Sequence, residues 1–192
     1  MVIALIGSHG TGKTTVFFEE MRKQRPDLIY FSEGVRHQSP AFGYGDPEGV
    51  CEKYGVGAFG LMNMNSWSVI DPKHNTTLDQ HAVVVCDRSA LDNYAYYLAL
   101  RNTEEDFKFE PLLAGMARHY VSLIDLFIYF SLGVIPLIAD GMRKESEEYQ
   151  VKVEEGIKRG FEIFHVPSSK IHYLKQRTIT ERVIEVVDII SQ

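Results

Sequence analysis

The chain has 192 residues, 45% hydrophobic and 24% charged, with a formal net charge of -6. That is enough apolar material for one ordinary globular core, and the acidic balance excludes broad attraction to nucleic acid or to an anionic membrane while leaving room for a local basic channel. Its two cysteines, Cys51 and Cys86, have no metal-ligand spacing. Cys86 ends an apolar run and reads as a buried thiol, which fits a reducing, cytoplasmic compartment.

The apolar run Val2 to Ile6 comes first, too short and too free of basic residues to be a signal peptide, so a strand is expected. Directly after it, Gly7-Ser8-His9-Gly10-Thr11-Gly12-Lys13-Thr14 satisfies G-x-x-x-x-G-K-[ST], and the helix-compatible stretch Thr15 to Met21 follows. In such a loop, glycines let the backbone wrap a polyphosphate, and successive N–H groups with a helix N-terminus face its anionic oxygens. Gly7, His9, Gly10, Thr11, Gly12, Lys13, Thr14 and Thr15 are therefore expected to bind a nucleoside triphosphate. Lys13 supplies a point charge at the β and γ phosphates, and the Thr14 hydroxyl is placed for Mg²⁺.

A second apolar run, Leu28 to Ser32, leads into Glu33-Gly34-Val35-Arg36. A carboxylate at this strand end suits the proton of an attacking hydroxyl, which makes Glu33 a candidate base for an alcohol acceptor; pairing with Arg36 or Arg88 is the equal alternative. Arg36 is a candidate acceptor contact. From Gln38 to Gly57 the chain holds five glycines and two prolines among Phe42, Tyr44 and Tyr54. This composition predicts a loop too glycine-rich for a stable helix and serving as an acceptor-side lid. A helix is expected over Ala58 to Ile70. Its apolar residues suit a core, while Asn63, whose amide pairs a donor with an acceptor, and Trp67 are its candidates for contact with the acceptor.

The third run, Ala82 to Cys86, ends in Asp87-Arg88-Ser89. An acid closing a buried strand beside a phosphate loop steadies Mg²⁺, and the arginine after it offers a planar fork of donors to the phosphates. Ser89 and Asp92 have the spacing of a capping box, opening a helix with Leu91, Ala95 and Leu98 on one face. Val121 to Ile138 has the length of a membrane span but contains Asp125, Gly133 and Pro136, so a buried strand at Leu126 to Phe130 followed by a loop is expected. Asp140-Gly141 is a turn signal, after which Arg143 would project from a charged helix with Glu148 and Lys152, Glu154 and Lys158, and Glu155 and Arg159 at i, i+4. Gly156 and Gly160 weaken that helix, so residues 140–160 are predicted to form a mobile lid, with Arg143 stabilising transition-state charge. A last strand, Lys170 to Leu174, precedes a capping box at Thr178 and Glu181. The helix it opens carries Ile179, Val183, Val186 and Ile190 on one stripe, a structural element that packs on the sheet.

The five runs are near-continuously apolar, not alternating, as strands covered on both faces are. Together with the helical segments between them they predict an α/β fold, a doubly wound parallel sheet with helices on both faces, in one domain over residues 1–192.

With these residues in place the chain resembles the P-loop kinases of the nucleoside and nucleotide group. The likeness is closest to small AAA-type phosphotransferases related to ribosylnicotinamide kinase domains and to phage-encoded kinases. It rests on Gly7 to Thr15, Ser32-Glu33 with Arg36, Asp87-Arg88-Ser89 with Asp92 and Tyr96, and Asp140-Gly141 with Arg143. The resemblance implies a five-stranded P-loop core with a lid after the fourth strand, ATP and Mg²⁺ as cofactors, and Tyr96 on the substrate side. It also implies a nucleoside, a nucleotide or a modified base as acceptor. Similar deoxynucleoside kinases place a base glutamate after the second strand and an acid-arginine pair after the third; here that pair is Asp-Arg in place of Glu-Arg. Similar thymidylate kinases have proline-glycine after the first glutamate, where this chain has Gly34-Val35. Phage kinases that act on 5-hydroxymethyluracil in DNA are part of the same resemblance, which keeps DNA open as a partner. The competing class is a non-kinase ATPase or switch. A GTPase would carry N-K-x-D, and the sequence has none; an AAA+ motor would need a second helical domain.

Overall fold

The computed structural model describes residues 1–14, 20–32, 47–71, 75, 82–134 and 147–191. Five strands form one all-parallel sheet: β1 (Val2–Ile6), β2 (Ile29–Phe31), β3 (Val84–Asp87), β4 (Leu126–Tyr129) and β5 (Ile171–Tyr173). Their spatial order is β2-β3-β1-β4-β5. Each strand lies within its predicted apolar run or one residue beyond it. The period of two explains why the β1 run is apolar throughout: Ala4 and Ile6 of β1 enter one core, and Ile3 and Leu5 the other.

The helices among the described residues are α1 (Arg22–Gln24), α2 (Pro47–Tyr54), α3 (Val56–Asn65), α4 (Ala90–Leu100), α5 (Glu104–Lys108), α6 (Glu110–Ser122), α7 (Glu147–Ile163) and α8 (Ile179–Ile190). On one face, Met64, Leu91, Leu113 and Ile157 from α3, α4, α6 and α7 pack on Ala4, Cys86 and Phe127. On the other, Met21 with Val183, Val186 and Ile190 of α8 packs on Ile3, Leu5, Val85 and Ile128. Burial raises the Cys86 thiol far above its ordinary range, as an inert core thiol requires. No helix among the described residues is long and apolar enough to cross a membrane. Val121 and Ser122, in the stretch of span-like length, close α6, and Leu126–Tyr129 is the buried strand.

Four local expectations need correction. Residues Pro47–Tyr54 of the glycine-rich stretch are helical, with Val50 buried; Pro47 opens the helix, where a missing N–H costs nothing, and Gly55 at φ 82° ends it. The rest of that predicted lid, 38–46, lies outside the described residues. The helix predicted to reach Ile70 is regular only to Asn65 and continues as a 3-10 turn over Ser66–Ile70.

The third correction concerns α7, which is not a solvated, weakened helix from Glu147 onward. Gln150, Val153, Glu154, Gly156, Ile157, Gly160 and Phe161 are buried along it. A Cβ on Gly156 would stand 3.0 Å from the Ala95 carbonyl oxygen, and one on Gly160 would stand 3.1 Å from Leu91 Cγ. These glycines bring α7 close against α4; they do not loosen it. The predicted Glu148–Lys152 and Glu154–Lys158 pairs do form, at 2.7 and 3.5 Å. The start of the predicted lid, 140–146, lies outside the described residues. Finally, on α8 the predicted stripe loses Ile179, which is 42% exposed, and gains Arg182, which is 1% exposed.

Candidate functional site

Parallel register fixes where the loops meet. Ile6 of β1 pairs with Tyr129 of β4, and Leu5 pairs with Asp87 of β3. Two further bonds, Arg88 N–H to the Leu5 carbonyl (2.9 Å) and Phe130 N–H to the Ile6 carbonyl (2.8 Å), carry the ladder past the strand ends. The Gly7–Thr14 loop thus springs from the central strand with Asp87-Arg88 on one side and Phe130 on the other, at the carboxyl edge where open α/β sheets bind ligands.

Within the loop, Gly7, Gly10 and Gly12 have positive φ (146°, 70° and 83°), and Lys13 and Thr14 begin helical backbone. The Lys13 ammonium donates to the Gly7 carbonyl (2.7 Å), the Ser8 carbonyl (2.5 Å) and Thr11 Oγ1 (3.1 Å). Thr14 Oγ1 donates to Asp87 Oδ2 at 3.1 Å. The expected metal pair is therefore in contact, and a hydroxyl beside a carboxylate is the hard-oxygen donor set that Mg²⁺ takes when phosphates and water complete its shell. No cluster of three or more His, Cys, Asp or Glu side chains suited to a metal exists among the described residues.

Arg88 occupies a left-handed backbone conformation, φ 83°. A non-glycine residue held there costs about 1–3 kcal/mol, which the surrounding contacts must offset. Its guanidinium is nearly buried and lies 4.9 Å above the Tyr96 ring, with Nη1 4.0 Å from Asp92 Oδ1. The Tyr96 hydroxyl stands 3.4 Å from His9 Nδ1, and the His9 ring also packs on Tyr149 of α7, centroids 5.4 Å apart. Gln150 Nε2 donates to the His9 carbonyl at 2.8 Å. Arg88, Tyr96, His9, Tyr149 and Gln150 thus join α4, α7 and the loop into one unit.

Asp92 departs from its predicted role. Ser89 Oγ accepts the N–H groups of Leu91 and Asp92, so the cap itself stands. The Asp92 carboxylate does not return to the Ser89 N–H; it accepts the Ser89 hydroxyl at 2.8 Å and the Gly7 N–H at 3.1 Å. Fully buried, it braces the first glycine of the loop. Desolvation raises its pKa to about 6, against the opposing pull of Arg88, Lys13, Ser89 and Gly7. Between 3.8 and about 6 the folded chain therefore holds a proton that the unfolded chain has released, so Asp92 lowers stability as pH rises through that window. Asp92→Asn keeps an oxygen for Gly7 and removes the buried charge. We expect it to melt at or above the wild type at pH 7, with the difference shrinking as pH falls toward 4. Thermal melts at the two pH values check this; a gap that widens on acidification contradicts it.

Of the remaining candidates, Asn63 and Trp67 are 4% and 1% exposed, with Trp67 edge-on to Phe31 of β2 at 5.4 Å. Asn63 Nδ2 donates to the Phe59 carbonyl, while Asn63 Oδ1 and Trp67 Nε1 have no hydrogen-bond partner among the described residues. No hydrogen bond, ion pair or ring contact joins either residue to Gly7–Thr14. Thr15, Glu33, Arg36 and Arg143 lie outside the described residues. Asp92, expected as a helix cap, braces Gly7 as well, while Tyr149, Gln150 and Arg182 were given no role from the sequence. Of these three only Arg182 left a signal, a charge on an otherwise apolar helical stripe.

The profile of a family described as an AAA domain matches residues 2–182. No curated protein sequence matches the chain significantly. Among solved structures, the NadR protein in complex with NR is similar at TM-score 0.69 and 20% identity over 98% of this chain and 49% of that one, so the chain spans about half the NadR length. Deoxyadenosine kinase from M. mycoides is similar at TM-score 0.69 and 17% identity, covering 100% of this chain and 98% of that one. Thymidylate kinase from Candida albicans follows at TM-score 0.64 and 15% identity, with 99% and 90% covered. At these identities the likeness is one of fold, and it bears out the P-loop α/β architecture with its five parallel strands.

Proposed function

The chain belongs to this AAA-domain family, and from the geometry of its phosphate loop we propose that it is an ATP-dependent kinase that phosphorylates a hydroxyl of a nucleoside- or nucleotide-type acceptor. The observation that carries the reading is the Thr14–Asp87 contact, which joins the loop to the acid-arginine strand end. A nearly buried arginine next to Asp87 in sequence, on positive-φ backbone, suits the charge of a transferring phosphoryl group. Similarity to chains solved with AMP-PNP and with dATP supports a nucleotide in the loop.

In this reading the loop N–H groups and Lys13 hold the triphosphate, Lys13 exchanging its carbonyl partners for phosphate oxygens. The Thr14 hydroxyl and Asp87 would hold Mg²⁺, which would supply positive charge against the phosphates. Glu33, which follows β2 in the sequence, takes the acceptor's hydroxyl proton as that oxygen bonds to the γ phosphorus, and the bond to the β–γ bridging oxygen breaks to leave ADP. Arg88, with Arg143 from the segment before α7, stabilises the equatorial oxygens. Arg36, Tyr96, Asn63 and Trp67 are the residues assigned to the acceptor.

Glu33→Gln tests the assignment of the base. Turnover is expected to fall by about 10²–10⁴, the usual worth of a positioned general base, with ATP affinity near that of the wild type. Equal losses in turnover and ATP affinity contradict a base role. ADP release that no hydroxyl acceptor stimulates contradicts the kinase reading as a whole.

A further inference from the structure

Arg182 lies on α8, across the sheet from the helices that carry Asp92 and Gln150, and is 1% exposed. Its Nε donates to the Gln176 carbonyl at 2.7 Å and its Nη1 to the Thr11 carbonyl at 2.8 Å. The guanidinium carbon stands 5.3 Å from the centre of the Phe130 ring. Among the described residues no carboxylate reaches it, and Nη2 has no hydrogen-bond partner. Burial lowers its pKa, and the charge of Glu185 opposes that only in part. A buried guanidinium without a counter-ion is an expensive way to hold two carbonyls. Its position against the phosphate loop accounts for the expense, because the compensating charge arrives with a polyanion.

We infer that Arg182 is a positioning residue of the triphosphate site. It fixes the Thr11 turn of the phosphate loop, ties that turn through Gln176 to the β5–α8 connection, and adds an unneutralised positive charge to the field at the phosphates. The inference rests on the reading of Gly7–Thr14 as a nucleoside triphosphate site. Asp92 and Gln150 brace the same loop from the other face at Gly7 and His9, so the loop is held from both sides of the sheet.

The test is calorimetric titration of MgATP into the wild type, Arg182→Met, Arg182→Lys and Lys13→Ala. Loss of a charged hydrogen bond predicts a dissociation constant raised by about 10–100-fold in Arg182→Met. Arg182→Lys keeps the charge but cannot make both bonds, and is expected between the wild type and Met. A purely structural arginine would lower the melting temperature of the nucleotide-free protein and leave the affinity of the folded protein unchanged. Wild-type affinity in Arg182→Met, or in Arg182→Lys should Met not fold, overturns the inference while weak binding by Lys13→Ala keeps the loop reading intact. A wild type that binds no MgATP overturns that underlying reading, and the inference with it.

Discussion

Lys13→Ala is expected to lower phosphoryl transfer by at least about 10²–10³, the usual worth of a preorganised charge aimed at the reacting group. The side chain is 4% exposed and its ammonium already sits among the oxygens of Gly7, Ser8 and Thr11, so little reorganisation separates this position from a phosphate. Alanine also relieves the fold of a buried charge, so stability should hold while ATP binding and turnover both fall. Steady-state rates beside a denaturation curve check this. Wild-type turnover in a folded Lys13→Ala variant contradicts the proposed chemistry.

Gly7→Ala is expected to cost at least about 3 kcal/mol of stability, in the range of severe core clashes. A Cβ there would stand 2.5 Å from the Phe130 carbonyl oxygen, on a backbone at φ 146°. Neither side can give: Phe130 N–H is bonded to the Ile6 carbonyl, and Gly7 N–H to Asp92. Gly133 supplies the control. It too has positive φ, 76°, but nothing lies within 4 Å of its notional Cβ, so Gly133→Ala should cost only the conformational strain, about 1 kcal/mol. Urea unfolding of the two variants separates the effects, and equal losses contradict the close approach of the Phe130 carbonyl to Gly7 as the cause.

The sheet was legible in the sequence because strands covered on both faces read as near-continuous apolar runs, as Val2–Ile6 and Leu126–Tyr129 do, with Asp87 in β3 and His172 in β5 the polar exceptions. The loop was legible because its glycines and Lys13 follow directly from β1. What binds the loop to the rest of the molecule was not. Asp92 has the spacing of a capping partner, and only the approach of α4 to β1 shows that its carboxylate turns toward Gly7. Gly156 and Gly160 weaken a helix considered alone; the partner they make room for, α4, lies some sixty residues earlier in the chain. Composition likewise argued against a helix at Pro47–Tyr54, where Pro47 opens one and the buried Val50 anchors it.

Kinase activity is tested most simply by transfer of label from γ-labelled ATP to a panel of acceptors. The panel holds free nucleosides, nucleoside monophosphates, nicotinamide riboside, and DNA with and without 5-hydroxymethyluracil. The account predicts label on a hydroxyl of one member of the panel, with ADP formed in equal amount and transfer lost in Lys13→Ala. Release of labelled inorganic phosphate at the same rate with and without every acceptor would contradict it and make the protein an ATPase.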